Sequence, residues 1–201
     1  MEAAAARWLL AGLLVPMWIG AGVLDWWCHR RTDIEHNAGA KESLLHLLMF
    51  VEVGLPLLAV LFLDINALIF LIMGVAFVLH EATALWDVSY AVKHRTVTPF
   101  EQHVHSFLEL LPLTGLLLLA VLHPQQALAL LGLGSEPARF ELVPKDPQLP
   151  PAYLAGVLSA VALLGVLPYM SELVRGLRAR ARSPMGAKPT EDSARPTAAA
   201  R

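Results

Sequence analysis

The 201-residue sequence is poor in both cysteine and charge. Its one cysteine, Cys28, cannot form an intrachain disulfide, so a disulfide-stapled secreted scaffold is excluded. Charged residues make up 16% of the chain, against roughly 25% in ordinary globular domains. With a net charge of −2 and no clustered basic and aromatic residues, the sequence gives no support for nucleic-acid binding.

Several common catalytic motifs are also missing. The sequence has no Walker loop, no dinucleotide-binding glycine fingerprint, no nucleophile elbow and no zinc-ribbon cysteine pairs. The string HEATA, which begins at His80, lacks the second histidine of a zinc-protease HExxH motif. A function must therefore be sought in what the chain has in excess, namely apolar residues and histidines.

Hydrophobic residues make up 56% of the chain, and they are concentrated in five runs. Each run approaches the ~17–25 residues that a membrane-spanning helix needs. We therefore predict an all-α integral membrane protein with five transmembrane helices in a single domain, 1–175. The predicted spans are about 8–28, 42–63, 65–92, 99–123 and 152–173, followed by a disordered basic cytoplasmic tail over 176–201.

Lysine and arginine are distributed unequally between the two ends of these helices. If the first helix begins outside, the inner face carries most of the basic residues, including Arg30, Arg31 and Arg95. The outer face then has Arg7, and the 124–151 loop has two more. By the positive-inside rule we predict a bacterial-type inner membrane protein with the amino terminus outside, 124–151 periplasmic and the carboxyl terminus cytoplasmic.

Histidines and carboxylates collect near the predicted inner ends of the first four helices. In each helix an acidic residue shares a face with a histidine, because residues four or seven apart lie on one side of a helix. Such groups are costly inside a membrane and normally pair or carry function. The predicted ligands in this layer are Asp25, His29, Glu35, Glu42, His46, His80, Asp87, Glu101 and His105.

Helix capping offers a second explanation for part of this layer. The segments from Thr32 to Glu35 and from Thr98 to Glu101 both fit a capping box, and Pro99 suits a first helical position. Glu35 and Glu101 can therefore be ligands or caps. The roles of three other histidines stay open: His36, His94 and His103.

A pair of divalent cations would compensate a layer of this size. Imidazole together with carboxylate suits iron, zinc or manganese, and the ligand set exceeds that of one tetrahedral zinc site. Glutamates and histidines drawn from several helices of a bundle are typical of di-iron carboxylate sites. We therefore predict that helices one to four surround a metal site with two iron ions, and zinc is the alternative metal.

The placement of these residues resembles the histidine-rich integral-membrane non-haem di-iron enzymes, the fatty-acid desaturases and alkane or sterol hydroxylases. The resemblance covers helices one to four and concerns the type of site, because the HxxxH and HxxHH boxes of that group are absent. It implies a hydroxylase or desaturase that uses dioxygen, an electron-donor protein and a lipid-like or hydrophobic substrate. Glu81 and Glu109 are candidate catalytic groups, and Arg30, Arg31 and Arg95 either anchor the inner face or steer an anionic headgroup.

Three other functions remain open at this stage. A zinc-dependent membrane hydrolase of lipid amide or ester bonds needs three protein ligands and a water. A haem b or quinone-handling subunit needs two histidines from facing helices as axial ligands. A non-catalytic subunit or transporter could use the ionisable layer to relay protons. The sequence does not indicate the substrate or the oligomeric state.

Overall fold

The structure, a computed structural model, describes residues 2–182. Within this range the chain is helical and forms no β-strand. Five helices are long and apolar enough to cross a membrane, which confirms the predicted fold class. We number the helices α1 (Ala4–Arg31), α2 (Gly39–Phe62), α3 (Ala67–Ala91), α4 (Pro99–Leu122), a short α5 (Pro124–Leu130), and α6 (Pro151–Arg182).

The predicted and observed spans differ mainly at the carboxyl end. α6 continues as a helix to Arg182, beyond the predicted boundary at 175. The rest of the predicted tail, 183–201, lies outside the described residues. α1 and α6 each contain one π-helical segment, at Leu9–Leu14 and Ala162–Val166.

Two helix starts follow directly from local sequence. Asn66 is the N-cap of α3, and its side chain accepts hydrogen bonds from the backbone N–H groups of Leu68 and Ile69. Thr98 and Glu101 form the predicted capping box of α4, with Pro99 as the first helical residue. These caps fix where α3 and α4 begin.

The second predicted capping box, from Thr32 to Glu35, does not form. Asp33 has a left-handed backbone with φ 53°, and Ile34–His36 is a 3-10 turn. α2 begins only at Gly39, whose φ of +71° suits glycine. Glu35 therefore neither caps α2 nor shares a helical face with Glu42.

The connection between α4 and α6 lies against the start of α3. It contains α5 and an antiparallel bridge between Leu63 and Pro144. The side-chain oxygen of Gln126 accepts a hydrogen bond from Arg139 N at 3.0 Å, and Lys145 N donates to Phe62 O. This connection covers one end of the bundle, and the opposite end is the one that gathers the ionisable residues.

Large apolar side chains cover the outside of the bundle. Val78, Leu85 and Val121 are each at least 65% exposed, as expected for helices whose outer faces meet lipid. Inside, α6 lies close to α2, where a Cβ on Gly176 would come within 2.9 Å of the Ala40 backbone. This close approach brings the last helix into the ionisable end of the bundle.

Candidate metal centre

Two stacked imidazoles share one carboxylate at the centre of the bundle end. The rings of His29 in α1 and His46 in α2 lie parallel, with centroids 4.1 Å apart. Nδ1 of His29 lies 3.1 Å from Oε2 of Glu172 in α6, and Nδ1 of His46 lies 2.8 Å from Oε1. A carboxylate oxygen can only accept, so each Nδ1 donates to Glu172, and in a neutral imidazole the Nε2 atom is then free to act as a metal ligand.

Carboxylates from four helices surround these two Nε2 atoms. The Nε2 atom of His29 lies 3.4 Å from Asp25 Oδ1 and 3.6 Å from Glu101 Oε1. The Nε2 atom of His46 lies 3.3 Å from Asp87 Oδ2 and 3.9 Å from Glu42 Oε1. Neither Nε2 has a hydrogen-bond partner, although both are buried.

The third histidine, His105 of α4, joins the group through Asp25. Its Nε2 lies 2.9 Å from Asp25 Oδ1. The other oxygen of Asp25 accepts a hydrogen bond from the Tyr169 hydroxyl of α6 at 3.2 Å. Asp25 is therefore held from two sides by neighbouring helices.

Arg95, in the loop before α4, enters the same end of the bundle. Its Nη2 lies 2.5 Å from both Glu42 Oε1 and Glu101 Oε1, and its side chain is buried. Burial alone would lower the pKa of Arg95, but the hydrogen bonds and charges of Glu101 and Glu42 outweigh it and raise the pKa. The guanidinium therefore stays charged and joins two carboxylates.

Glu101 divides its two oxygens between two roles. Its Oε2 accepts from the backbone N–H of Thr98 at 3.4 Å and closes the capping box. Its Oε1 faces His29 and Arg95. Glu101 therefore acts both as a cap, through Oε2, and as a site residue, through Oε1.

The structure brings together all the predicted ligands except two. Glu35 forms an ion pair with Arg175 at 3.0 Å, outside this group. His80 lies deeper in the bundle, 3.9 Å from Glu52. We use the term buried cluster for the residues that do meet: Asp25, His29, Glu42, His46, Asp87, Arg95, Glu101, His105 and Glu172.

The two predicted catalytic residues lie outside the buried cluster. Glu81 and Glu109 are half-buried, and their charges interact with each other. Neither lines the apolar cavity that lies next to Asp25 and His46. Their catalytic role stays a prediction without structural support.

Sequence reasoning missed the contribution of α6. Glu172 is 1% exposed and Tyr169 is 7% exposed, and both lie where the apolar run of α6 ends. The available signal was an acidic residue placed just after that run, since intramembrane carboxylates commonly face the bundle interior. Because α6 has no histidine, the search for an acidic residue and a histidine on one helical face did not identify Glu172.

Two overlapping groups within the buried cluster have the spacing of metal ligands. One group contains Asp25, His29 and His105, the other contains His29, Glu42 and His46, and the ligand atoms within each lie within 4.8 Å of one another. A third group, Asp33, Glu35 and His36, lies at the surface and includes the Glu35 already paired with Arg175. The buried groups are the candidate metal centre.

An apolar cavity of about 120 Å³ adjoins the buried cluster on its membrane side. Asp25, His46 and Tyr169 form its polar end, together with His80. The remaining wall is mostly apolar and includes Trp18 and Phe50. We call this space the cluster cavity.

Comparison of the chain with protein-family models, curated proteins and solved structures found no match.

Proposed function

We propose that this chain is a membrane-bound, metal-dependent oxidoreductase whose buried cluster holds two divalent cations, with iron as the preferred metal. The observation that supports this most directly is the shared carboxylate of Glu172. It orients His29 and His46 so that both Nε2 atoms face carboxylates without a hydrogen-bond partner. A carboxylate that orients a histidine in this way is the usual outer partner of a metal ligand.

The interatomic distances suit ligands of a common cation better than direct hydrogen bonds. Nitrogen and oxygen ligands about 2.1 Å from one ion lie roughly 3.0–4.2 Å from each other. The Nε2-to-carboxylate distances at His29 and His46 fall between 3.3 and 3.9 Å. Hydrogen bonds between such groups are normally about 2.7–2.9 Å long.

Charge balance favours two cations. The buried cluster contains five carboxylates and the Arg95 guanidinium, which leave four negative charges when the histidines are neutral. Two divalent ions neutralise that charge, whereas burying it uncompensated in a membrane is very costly. Mixed imidazole and carboxylate donors suit iron, manganese and zinc.

Residues of this chain would have separate ligand and positioning roles at such a centre. His29, Asp25, Glu101 and His105 would hold one ion, and His46, Asp87 and Glu42 the other. Glu172 fixes the imidazoles, and Tyr169 holds Asp25 in position. Bound ferrous ions would supply dioxygen activation, with electrons from an electron-donor protein.

The cluster cavity supports a hydrophobic substrate. Its wall is mostly apolar, and its polar end consists of cluster residues and their neighbours. A lipid-like chain in this space would lie against the centre, which suits hydroxylation or desaturation. A haem between His29 and His46 is disfavoured because their rings already stack at 4.1 Å, which leaves no room for a porphyrin.

Metal analysis of the anaerobically purified protein tests the centre. We expect about two iron ions per chain, strongly reduced in His29→Ala and His46→Ala and unchanged in the exposed-histidine controls His94→Ala and His103→Ala. Incubation with membrane lipid, labelled dioxygen and a reduced donor should then yield a product that gains one labelled oxygen or loses two hydrogens. One tightly bound zinc and a hydrolysed lipid would contradict the oxidoreductase.

A further inference from the structure

Glu52 and His80 form a polar pair in the middle of the membrane that the proposed centre does not use. His80 is 5% exposed, and its Nδ1 lies 3.9 Å from Glu52 Oε2. By helical rise, Glu52 lies about 15 Å from the end of α2, and His80 about 17 Å from the end of α3. Ionisable residues at this depth normally mark ion or proton pathways.

Three of the four polar side-chain atoms of this pair lack a hydrogen bond of good geometry. Thr83 donates to Oε1 of Glu52 at 2.8 Å, which orients that carboxylate. Glu52 Oε2 and both ring nitrogens of His80 are buried and form no hydrogen bond of good geometry, although backbone groups of Leu108 and Met49 lie near the ring. Water or a transferring proton would satisfy them.

A second cavity reaches Glu52 from the far end of the bundle. This vestibule, as we call it, has a volume of about 530 Å³. Its outer lining includes Arg7, His123 and Lys145, and its inner lining includes Glu52. Burial lowers the pKa of Lys145 and of His123, and Asp64 partly opposes both shifts. The outer part of the vestibule is thus lined by groups that ordinarily contact water.

The polar pair lies between the vestibule and the cluster cavity. Glu52 lines the vestibule, and His80 lines the cluster cavity. Trp18, Val53 and Leu57 line both spaces. Glu52 and His80, 3.9 Å apart, therefore provide a polar connection between the two cavities.

We propose that Glu52 and His80 relay protons from the end of the bundle opposite the buried cluster to the cluster cavity. This inference rests on the proposed function, because reduction of dioxygen to water consumes protons. Glu52 would give its carboxyl proton to Nδ1 of His80, and His80 would release the proton on Nε2 into the cluster cavity. A hydronium ion in the vestibule then reprotonates Glu52, and water-assisted transfer of the remaining imidazole proton from Nδ1 to Nε2 restores the starting tautomer of His80.

Thiol labelling tests water access without any metal. In a Cys28→Ala background, Glu52→Cys should react with a small charged methanethiosulfonate reagent added from the Lys145 side of proteoliposomes. Val51→Cys is the matched control, because Val51 lies at the same depth, is 44% exposed on the outer surface and lines neither cavity. Reaction of Glu52→Cys no faster than Val51→Cys, or reaction from the cluster side alone, would overturn the relay.

Proton uptake tests the transfer itself. Anaerobically reduced, iron-loaded protein in vesicles is mixed with dioxygen while pH dyes report each side. We expect uptake from the Lys145 side, slowed about 100-fold by Glu52→Gln and less by Glu52→Asp, with iron content unchanged. Full-rate uptake in Glu52→Gln would refute the relay while leaving the centre intact. A wild-type protein that binds no iron would instead refute the proposed function. The labelling result would still decide whether the vestibule reaches Glu52.

Discussion

At the scale of single residues, Glu172 has the widest influence on the buried cluster. Its two oxygens accept from His29 and His46, so one carboxylate sets the tautomer and orientation of both rings. Glutamine at this position has the same shape, but its amide N–H₂ would face one of the two Nδ1–H donors. A ring that loses its acceptor can rotate, and its Nε2 then leaves the carboxylates.

We therefore expect Glu172→Gln to weaken metal binding by about 10- to 100-fold. Competition with a graded series of chelators measures this change. Glu35→Gln is the control, because Glu35 is paired with Arg175 outside the buried cluster. Equal metal affinity in wild type and Glu172→Gln would contradict the assigned role.

Arg95 is the second residue whose substitution should change the stability of the protein in a predictable direction. It joins Glu42 to Glu101 with its side chain buried. We expect Arg95→Met to lower the free energy of unfolding of the metal-free protein by about 3–5 kcal/mol, because two buried carboxylates lose their partner. The loss should be smaller in the metal-loaded protein, since the cations neutralise the same carboxylates.

Denaturant titration in mild detergent, with and without metal, measures both values. Lys93→Met provides the control, because Lys93 is exposed on the neighbouring turn. An equal loss of stability in both forms would argue that metal and Arg95 do not share these carboxylates.

At the scale of helices, the position of α6 depends on small residues. A Cβ on Gly176 would meet backbone atoms of Ala40 at 2.9 Å, and backbone atoms cannot rotate away as a side chain can. Gly176 lies one helical turn from Glu172 on the same face. Any displacement of α6 here moves Glu172 away from the two imidazoles.

Gly176→Ala should therefore reduce metal occupancy although Gly176 contacts no ligand, and it should destabilise the fold by about 1–3 kcal/mol. Metal content and thermal unfolding report the two effects. Gly74→Ala on α3 is the matched control, since a Cβ there meets nothing within 4 Å and should stabilise the helix by about 0.5–1 kcal/mol. Unchanged metal content in Gly176→Ala would show that α6 tolerates the shift.

The sequence predicted the helices better than it predicted which side chains of different helices would meet. Apolar length gave the five spans, and the Thr98 and Glu101 pattern gave the start of α4, because both signals are local. The segment from Thr32 to Glu35 also fits a capping box but forms none, because Asp33 has a left-handed backbone and Ile34–His36 is a 3-10 turn. His80 was grouped by depth with the ligands, but depth along a helix does not determine which neighbours a side chain meets.

At the scale of the whole molecule, the two ends of the bundle differ in the residues and segments that they contain. The buried cluster occupies one end, and α5 with the 131–150 connection covers the other. Cysteines at Phe140 and Arg178, each in a Cys28→Ala background, should therefore be labelled from opposite sides of a membrane. The basic residues near the cluster end predict that Arg178→Cys is accessible from the cytoplasm.

Impermeant maleimide added to intact and opened cells measures both positions. Labelling of the two cysteines from the same side would contradict the five-span arrangement. Labelling from opposite sides but with Phe140→Cys facing the cytoplasm would retain the fold and reverse the predicted orientation.

The location of Glu172 in the last span has a consequence for how the protein matures. During synthesis, α1 and α2 enter the membrane before α6 exists, so His29 and His46 initially lack their common acceptor. The two imidazoles acquire their final orientation only when the final helix docks at Gly176. If the buried cluster holds metal as proposed, acquisition of the metal is a late event in biogenesis, and a chain truncated before α6 would insert its first four spans without completing the site.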